Sequence, residues 1–141
     1  MASPGLMETR LTPLSKVVTE ERIALFEEVG IFQGQGANIH TDSDLAARRL
    51  GTPYAIASGR MSLAYAAEAL RRYFGADTFH HTGTLNLKFL RPVKPGDTLS
   101  VAGRVSGRED EAGGTRVFVD VWCENQRGER TAAGMGSALL G

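Results

Sequence analysis

A glycine-rich segment contains the side chains best suited to acid–base chemistry. It runs Gly34-Gln35-Gly36-Ala37-Asn38-Ile39-His40. Because an imidazole has a pKa of about 6.5, His40 can take up and release a proton near neutral pH. Gln35 can orient a bound water through its amide, but it cannot exchange a proton there. We predict catalytic roles for His40 and Gln35; structural hydrogen bonding and simple solvation are the respective alternatives.

The start of a predicted helix over about 58–74 offers a second kind of chemistry. The first N–H groups of a helix have no partner within it, and the helix dipole is positive at that end. The backbone N–H of Gly59 is therefore suited to bind a carbonyl oxygen that gains negative charge during a reaction. Ser58 either contacts the substrate or only caps the helix.

Three further polar residues have simpler interpretations. Asp42 is predicted to cap a short helix over about 43–49. His80 and His81 are predicted at the start of a strand, where alternation would point them to opposite faces. A pair at the surface or at an interface is the favoured interpretation, and one histidine within reach of the site is the alternative. A metal centre built from these residues and His40 would match no known ligand spacing, so we predict no metal.

The elements that must position these residues are helices followed by strands. Thr19 is a suitable cap for the first helix, and the third helix is apolar around most of its circumference. Four alternating segments joined by short turns then indicate an antiparallel sheet around a buried central helix, which is an α+β fold. The predicted helices cover about 20–29, 43–49 and 58–74, and the strands about 79–91, 97–107, 115–125 and 129–139.

Length and composition fit one domain. The chain has 141 residues with 16 Lys+Arg, 16 Asp+Glu and no net charge, which argues against nucleic acid or a membrane surface as the main partner. Cys123 is the single cysteine, so an intrachain disulfide and a paired-cysteine zinc site are excluded and a reducing cytoplasm is expected. Residues 1–12 lack a periodic pattern and are predicted as a flexible arm before a single domain over 13–141.

Several motifs resemble the MaoC-like (R)-specific enoyl-CoA hydratases, which have the hotdog fold. The resemblance spans about residues 12–139. In the first half of the chain it rests on Asn38-Ile39-His40-Thr41-Asp42, Ala46, Gly51 and Ile56-Ala57-Ser58-Gly59. In the second half it rests on the run from Phe89 to Leu99 with Pro95-Gly96-Asp97, Asn125-Gln126, Gly128-Glu129 and Gly134.

The chain departs from that family at two positions. The family loop typically reads DxNPxHxD, and its first Asp and its His hold the water that adds to the double bond. Here Gln35 stands at the Asp position, and no carboxylate occurs between Glu28 and His40 in any register. The family also commonly has His-Gly where this chain has Ser58-Gly59.

The resemblance implies hydration, dehydration or a related elimination on an unsaturated or β-substituted acyl thioester. Coenzyme A or an acyl-carrier protein would carry the acyl group, with no other cofactor. His40 would be the acid/base and Gln35 its catalytic neighbour, while Asn38, Ser58 and Gly59 would bind the substrate. The family also implies a homodimer with the site between subunits, and dimers of dimers or larger assemblies remain open.

Two other functions stay open. Other hotdog proteins hydrolyse thioesters with a carboxylate on or near the central helix, and Glu68 is the only carboxylate within that helix. The third hypothesis is that the chain is a binding subunit without catalytic activity.

Overall fold

The computed structural model describes residues 9–28 and 59–141. The first range contains one strand and one helix, and the second contains two helices followed by four strands. The elements are β1 (Leu14–Val17), α1 (Glu20–Glu28), α2 (Gly59–Phe74), α3 (Ala76–Thr82), β2 (Thr84–Phe89), β3 (Thr98–Glu111), β4 (Gly114–Glu124) and β5 (Arg130–Leu140). The predicted helix over 43–49 lies outside the described residues.

The strands form one five-stranded sheet in the order β1-β3-β4-β5-β2. Every neighbouring pair is antiparallel. The last strand in the sequence therefore lies inside the sheet, while β1 and β2 form its two edges. This arrangement confirms the predicted α+β class.

Helix α2 packs on one face of the sheet along a single buried side. Met61, Ala66 and Leu70 are buried there together with the inward-facing side chains of β3 and β4. At Gly136 a Cβ atom would lie 2.4 Å from Leu70 Cδ1, so only glycine lets the helix approach β5 this closely. The other side of α2 carries Leu63, which is 36% exposed. The expectation of a helix buried around most of its circumference was therefore wrong for the single chain.

Local sequence signals explain the ends of the two longer helices. The Thr19 hydroxyl accepts a hydrogen bond from the backbone N–H of Arg22 at 3.1 Å, which confirms the predicted cap of α1. Helix α2 ends before Gly75, whose φ of 93° is favourable only for glycine. None of the helices in the described ranges is long and apolar enough to cross a membrane.

Part of the segment predicted as a flexible arm lies against the sheet. Leu11 is only 4% exposed, and its N–H donates to the carbonyl of Gly103 at 3.0 Å. The N–H of Val105 donates to the carbonyl of Thr9 at 2.8 Å. Residues 9–12 are thus held by pairing with β3, which a search for periodicity in the sequence does not detect. The four-residue strand β1 was missed for the same reason.

The segment around His80 and His81 is helical, so its prediction as the start of a strand was wrong. Helix α3 occupies Ala76–Thr82, and β2 begins only at Thr84. The Arg116 guanidinium donates to the carbonyl of Thr82 at 3.1 Å. The N–H of Leu139 donates to the Thr82 hydroxyl at 2.9 Å. These contacts with β4 and β5 hold a short helix whose own sequence is a weak helix former.

Candidate active site

Of the five predicted site residues, Gly59 lies in the described part of the chain. His40, Gln35, Asn38 and Ser58 lie outside the described residues, and their roles stay predictions. Gly59 is the first residue of α2, as the sequence indicated. The described residues therefore show what surrounds the N-terminus of α2.

The aromatic ring of Phe89 covers the first turn of α2. A Cβ atom at Gly59 would lie 2.6 Å from Phe89 Cζ, which is closer than any real contact of this kind. Any other residue at position 59 must therefore displace the ring. Phe89 pairs with Ala132 in the sheet, and it remains 53% exposed. The Phe89 ring thus forms an apolar wall beside the N-terminus of α2, and part of this ring is accessible from outside.

The chain that follows Phe89 is fixed to β5. The N–H groups of Leu90 and Arg91 both donate to the carbonyl of Thr131, at 2.9 and 3.3 Å. Leu90 is nevertheless 49% exposed. Two adjacent large apolar side chains are thus presented at the end of an edge strand, next to the start of α2. This is a candidate surface for an acyl chain or for a second subunit.

Asp97 is a fully buried carboxylate that organises the turn before β3. It is 0% exposed. Its Oδ2 accepts the backbone N–H of Lys94 at 3.1 Å, and its Oδ1 accepts the Gln126 amide at 3.0 Å. Gln126 Oε1 in turn accepts the N–H of Thr98 at 2.9 Å. This network gives the Pro95-Gly96-Asp97 and Asn125-Gln126 motifs a structural role.

The same turn also fixes the end of β1. The N–H of Val18 donates to the carbonyl of Asp97, and the N–H of Gly96 donates to the carbonyl of Val18, both at 2.8 Å. Gly96 has a φ of 93°, which makes the turn possible. Three segments therefore meet at Asp97: the end of β1, the start of β3 and the β4–β5 turn.

The β4–β5 turn is held by its own side chains. Asn125 Oδ1 accepts the N–H groups of Arg127 and Glu129 at 3.0 and 3.1 Å, and Asn125 Nδ2 donates to Glu129 Oε1 at 2.9 Å. The hydrogen bond from Asn125, followed by that from Arg127, lowers the pKa of the Glu129 carboxyl from its ordinary value. Asn125 and Glu129 are thus structural residues of the turn.

The fold and these motifs agree with one protein family. A family model described as the MaoC like domain matches residues 4–131. The chain belongs to the MaoC-like family. Comparison with curated protein sequences gives no significant match.

Solved structures support the same assignment. R-hydratase PhaJ1 from Pseudomonas aeruginosa is 25% identical, with a TM-score of 0.74 over 94% of this chain and 80% of the other. The monoamine oxidase regulatory protein from Archaeoglobus fulgius is 26% identical, with a TM-score of 0.75 over 94% and 88%. An (R)-hydratase from A. caviae, 18% identical with a TM-score of 0.75 over 99% and 100%, shares the hotdog fold.

Glu68, the carboxylate considered for thioester hydrolysis, is engaged by two cations in this MaoC-like chain. Its Oε2 lies 2.8 Å from Arg72 Nη2, and its Oε1 lies 3.4 Å from Lys16 Nζ. It follows Gly59 by nine residues, which is roughly 14 Å along a helix that rises 1.5 Å per residue. These contacts favour a structural ion pair between β1 and α2.

His80 and His81 lie on α3, beyond the C-terminus of α2, and therefore at the opposite end of α2 from Gly59. Helix α2 is 16 residues long, or roughly 24 Å, and α3 follows its C-terminus. His81 Nδ1 donates to the carbonyl of Asp77 at 2.7 Å. Both side chains are exposed, which agrees with the favoured prediction of a pair at the surface or at an interface and not with the alternative that one of them reaches the Gly59 region of the same chain.

Cys123 does not add a nucleophile. It is buried on β4, and burial raises the pKa of its thiol to about 11. The reactive thiolate is therefore scarce at neutral pH. Within 9–28 and 59–141, no group of three or more His, Cys, Asp or Glu side chains could hold a metal ion.

Proposed function

We propose that this MaoC-like chain is a hydratase or dehydratase acting on an unsaturated or β-substituted acyl thioester. The observation that carries the proposal is the start of α2 at Gly59 under the Phe89 ring, within a chain of the MaoC-like family. It provides a helix N-terminus for a carbonyl oxygen and an apolar wall beside it. Coenzyme A or an acyl-carrier protein carries the acyl group, and no other cofactor takes part.

Each proposed residue has one task in this reaction. His40 moves the proton between water and substrate, and Gln35 orients the water in place of the family Asp. The Gly59 N–H stabilises the charge that develops on the thioester oxygen, since helix dipoles and unpaired amides favour an anion there. Asn38 and Ser58 contact the substrate. We place the reaction in the cytoplasm, where the single Cys123 thiol would stay reduced.

Incubation with crotonyl-CoA distinguishes the three functions that the sequence leaves open. Loss of enoyl absorbance without release of free thiol is the result that we expect for hydration. Release of thiol would show hydrolysis instead, and the Glu68→Gln variant would then test the carboxylate on α2. If the protein binds crotonyl-CoA but changes neither signal, it is a binding subunit for that thioester and the proposed activity is wrong.

The Gln35→Asp variant tests whether the missing family Asp matters. We expect it to lower the native reaction at least about tenfold and to add little hydration of a short enoyl thioester, because Ala37 and Ser58 also differ from the family. Gln33→Asp adds the same charge two residues earlier and is the control. Faster crotonyl-CoA hydration by Gln35→Asp than by the unmutated protein would instead show that the Asp was lost without replacement.

We also propose a homodimer with two sites. In the described part of the chain, β2 pairs only with β5 and β1 only with β3, and exposed strand edges are usually covered or paired. The exposed Phe89 and Leu90 lie at such an edge, beside Gly59. Light scattering at micromolar concentration should give twice the 15.1 kDa mass of the chain or a multiple of that. An active 15 kDa monomer would contradict both the dimer and the shared site.

A further inference from the structure

A pocket of about 240 Å³ opens on the outer face of the sheet. Val101, Gly103 and Val121 face inward and are buried. The residues that alternate with them therefore point away from α2. The pocket is lined by Arg10, Leu11, Pro13 and Trp122 and by residues 102–104 of β3, which include Gly103. It is separated from Gly59 by the sheet itself.

Two arginine side chains meet at this pocket. Arg10 and Arg104 form an antiparallel bridge, so their side chains project from the same face at directly opposed positions. Like charges placed opposite each other across two strands destabilise the pair. Within the described ranges, neither guanidinium takes part in an ion pair or a side-chain hydrogen bond. The pair is therefore suited to an anion that lies between the two groups.

Neighbouring charges leave the outer face positive at this point. Arg130 lies over the Trp122 ring at 4.7 Å from its centroid. Asp120 pairs with Arg104 in the register, and Glu124 pairs with Arg130. Three arginines thus face two carboxylates, which leaves one positive charge in excess around the pocket.

The lining between the charges is apolar. Pro13, Ala102 and the Trp122 indole supply it. The volume equals that of about eight water molecules in the liquid. We propose that this pocket binds a small organic anion, in which an apolar body lies on the indole and a carboxylate lies between Arg10 and Arg104. This site is independent of the proposed reaction.

The single tryptophan of the chain makes the proposal directly testable. Since Trp122 is the only tryptophan, its fluorescence reports on this pocket alone. Titration with benzoate should change the emission and saturate. Benzamide, which has the same ring but no charge, and inorganic phosphate, which has charge but no apolar body, should each bind at least tenfold more weakly. Calorimetry of the same three ligands gives a readout that does not depend on the indole.

A matched pair of variants locates the binding. Arg104→Ala should weaken benzoate binding at least tenfold, and Arg10→Ala should act in the same direction. Arg108→Ala removes the same charge from the exposed end of the same strand, outside the pocket, and should leave the affinity unchanged. Circular dichroism confirms that each variant is folded. Absence of benzoate binding in calorimetry, equal binding of benzamide, or equal loss in Arg108→Ala would each overturn the proposal.

Discussion

Replacing His40 with alanine should lower the hydratase or dehydratase rate at least ~100-fold, the usual scale for losing a general acid or base. His40 is one of three histidines in the chain. The other two lie on α3, beyond the C-terminus of α2. Within one chain, neither of these two imidazoles lies at the N-terminus of α2. The measurement is kcat/KM with an enoyl thioester that the unmutated protein accepts.

His81→Ala is the matched control for that experiment. It removes an exposed imidazole that is engaged with the Asp77 carbonyl, so the rate should change less than about twofold. The pH dependence adds a second readout. The rate of the unmutated enzyme should depend on the protonation state of His40, and this pH dependence should be absent from any residual activity of His40→Ala. Normal kinetics in His40→Ala would move the site elsewhere.

The second large effect is on stability: Asp97→Ala should lower the free energy of unfolding by about 2–4 kcal/mol. The substitution removes the buried carboxylate that accepts the part-buried hydrogen bonds from the Lys94 N–H and the Gln126 amide. It also loosens the junction at which Val18 is bound. Urea unfolding, followed by circular dichroism at neutral pH, measures the change.

Two further variants separate the buried network from a general effect of charge. Asp110→Ala removes an exposed carboxylate on β3 that, among the residues described, accepts the Thr115 hydroxyl alone, at 3.3 Å. It should change stability by less than about 0.5 kcal/mol. Asp97→Asn keeps the shape and one acceptor oxygen, so its loss should be intermediate. Equal stabilities of Asp97→Ala and Asp110→Ala would show that the network contributes nothing.

The parts of the fold that depend on local signals could be predicted from the sequence. Helix α2 was predicted within one residue because Gly75 ends it and because its sequence is apolar around most of a helical circumference. The cap at Thr19 was predicted because its hydroxyl acts on a neighbour three residues away. Strands β3, β4 and β5 were predicted to within a few residues, since alternation and turn residues mark them.

The parts that depend on distant partners could not be predicted. The second half of α3 was predicted as the start of a strand, whereas the hydrogen bond from Arg116, 34 residues along the chain, fixes its end as a helix. Asp97 was recognised as a turn residue, but its acceptor role needs Gln126, which is 29 residues away.

The candidate site also combines a feature that could be predicted from the sequence with one that could not. The position of Gly59 at the helix start was found from the sequence. The Phe89 ring above it depends on how β2 packs, which composition and periodicity do not reveal.

The position of β5 inside the sheet has a consequence for biosynthesis. In the described chain, β2 pairs with β5 alone, and the Thr84 and Ser137 hydroxyls that join them are 53 residues apart. The β3–β4 and β4–β5 hairpins are local and can form first, whereas both edges require the closure of long loops. During synthesis, β2 therefore cannot pair in the sheet until β5 has left the ribosome. Phe89 comes to rest over Gly59 only after that, so we expect nascent chains that lack β5 to have no formed site.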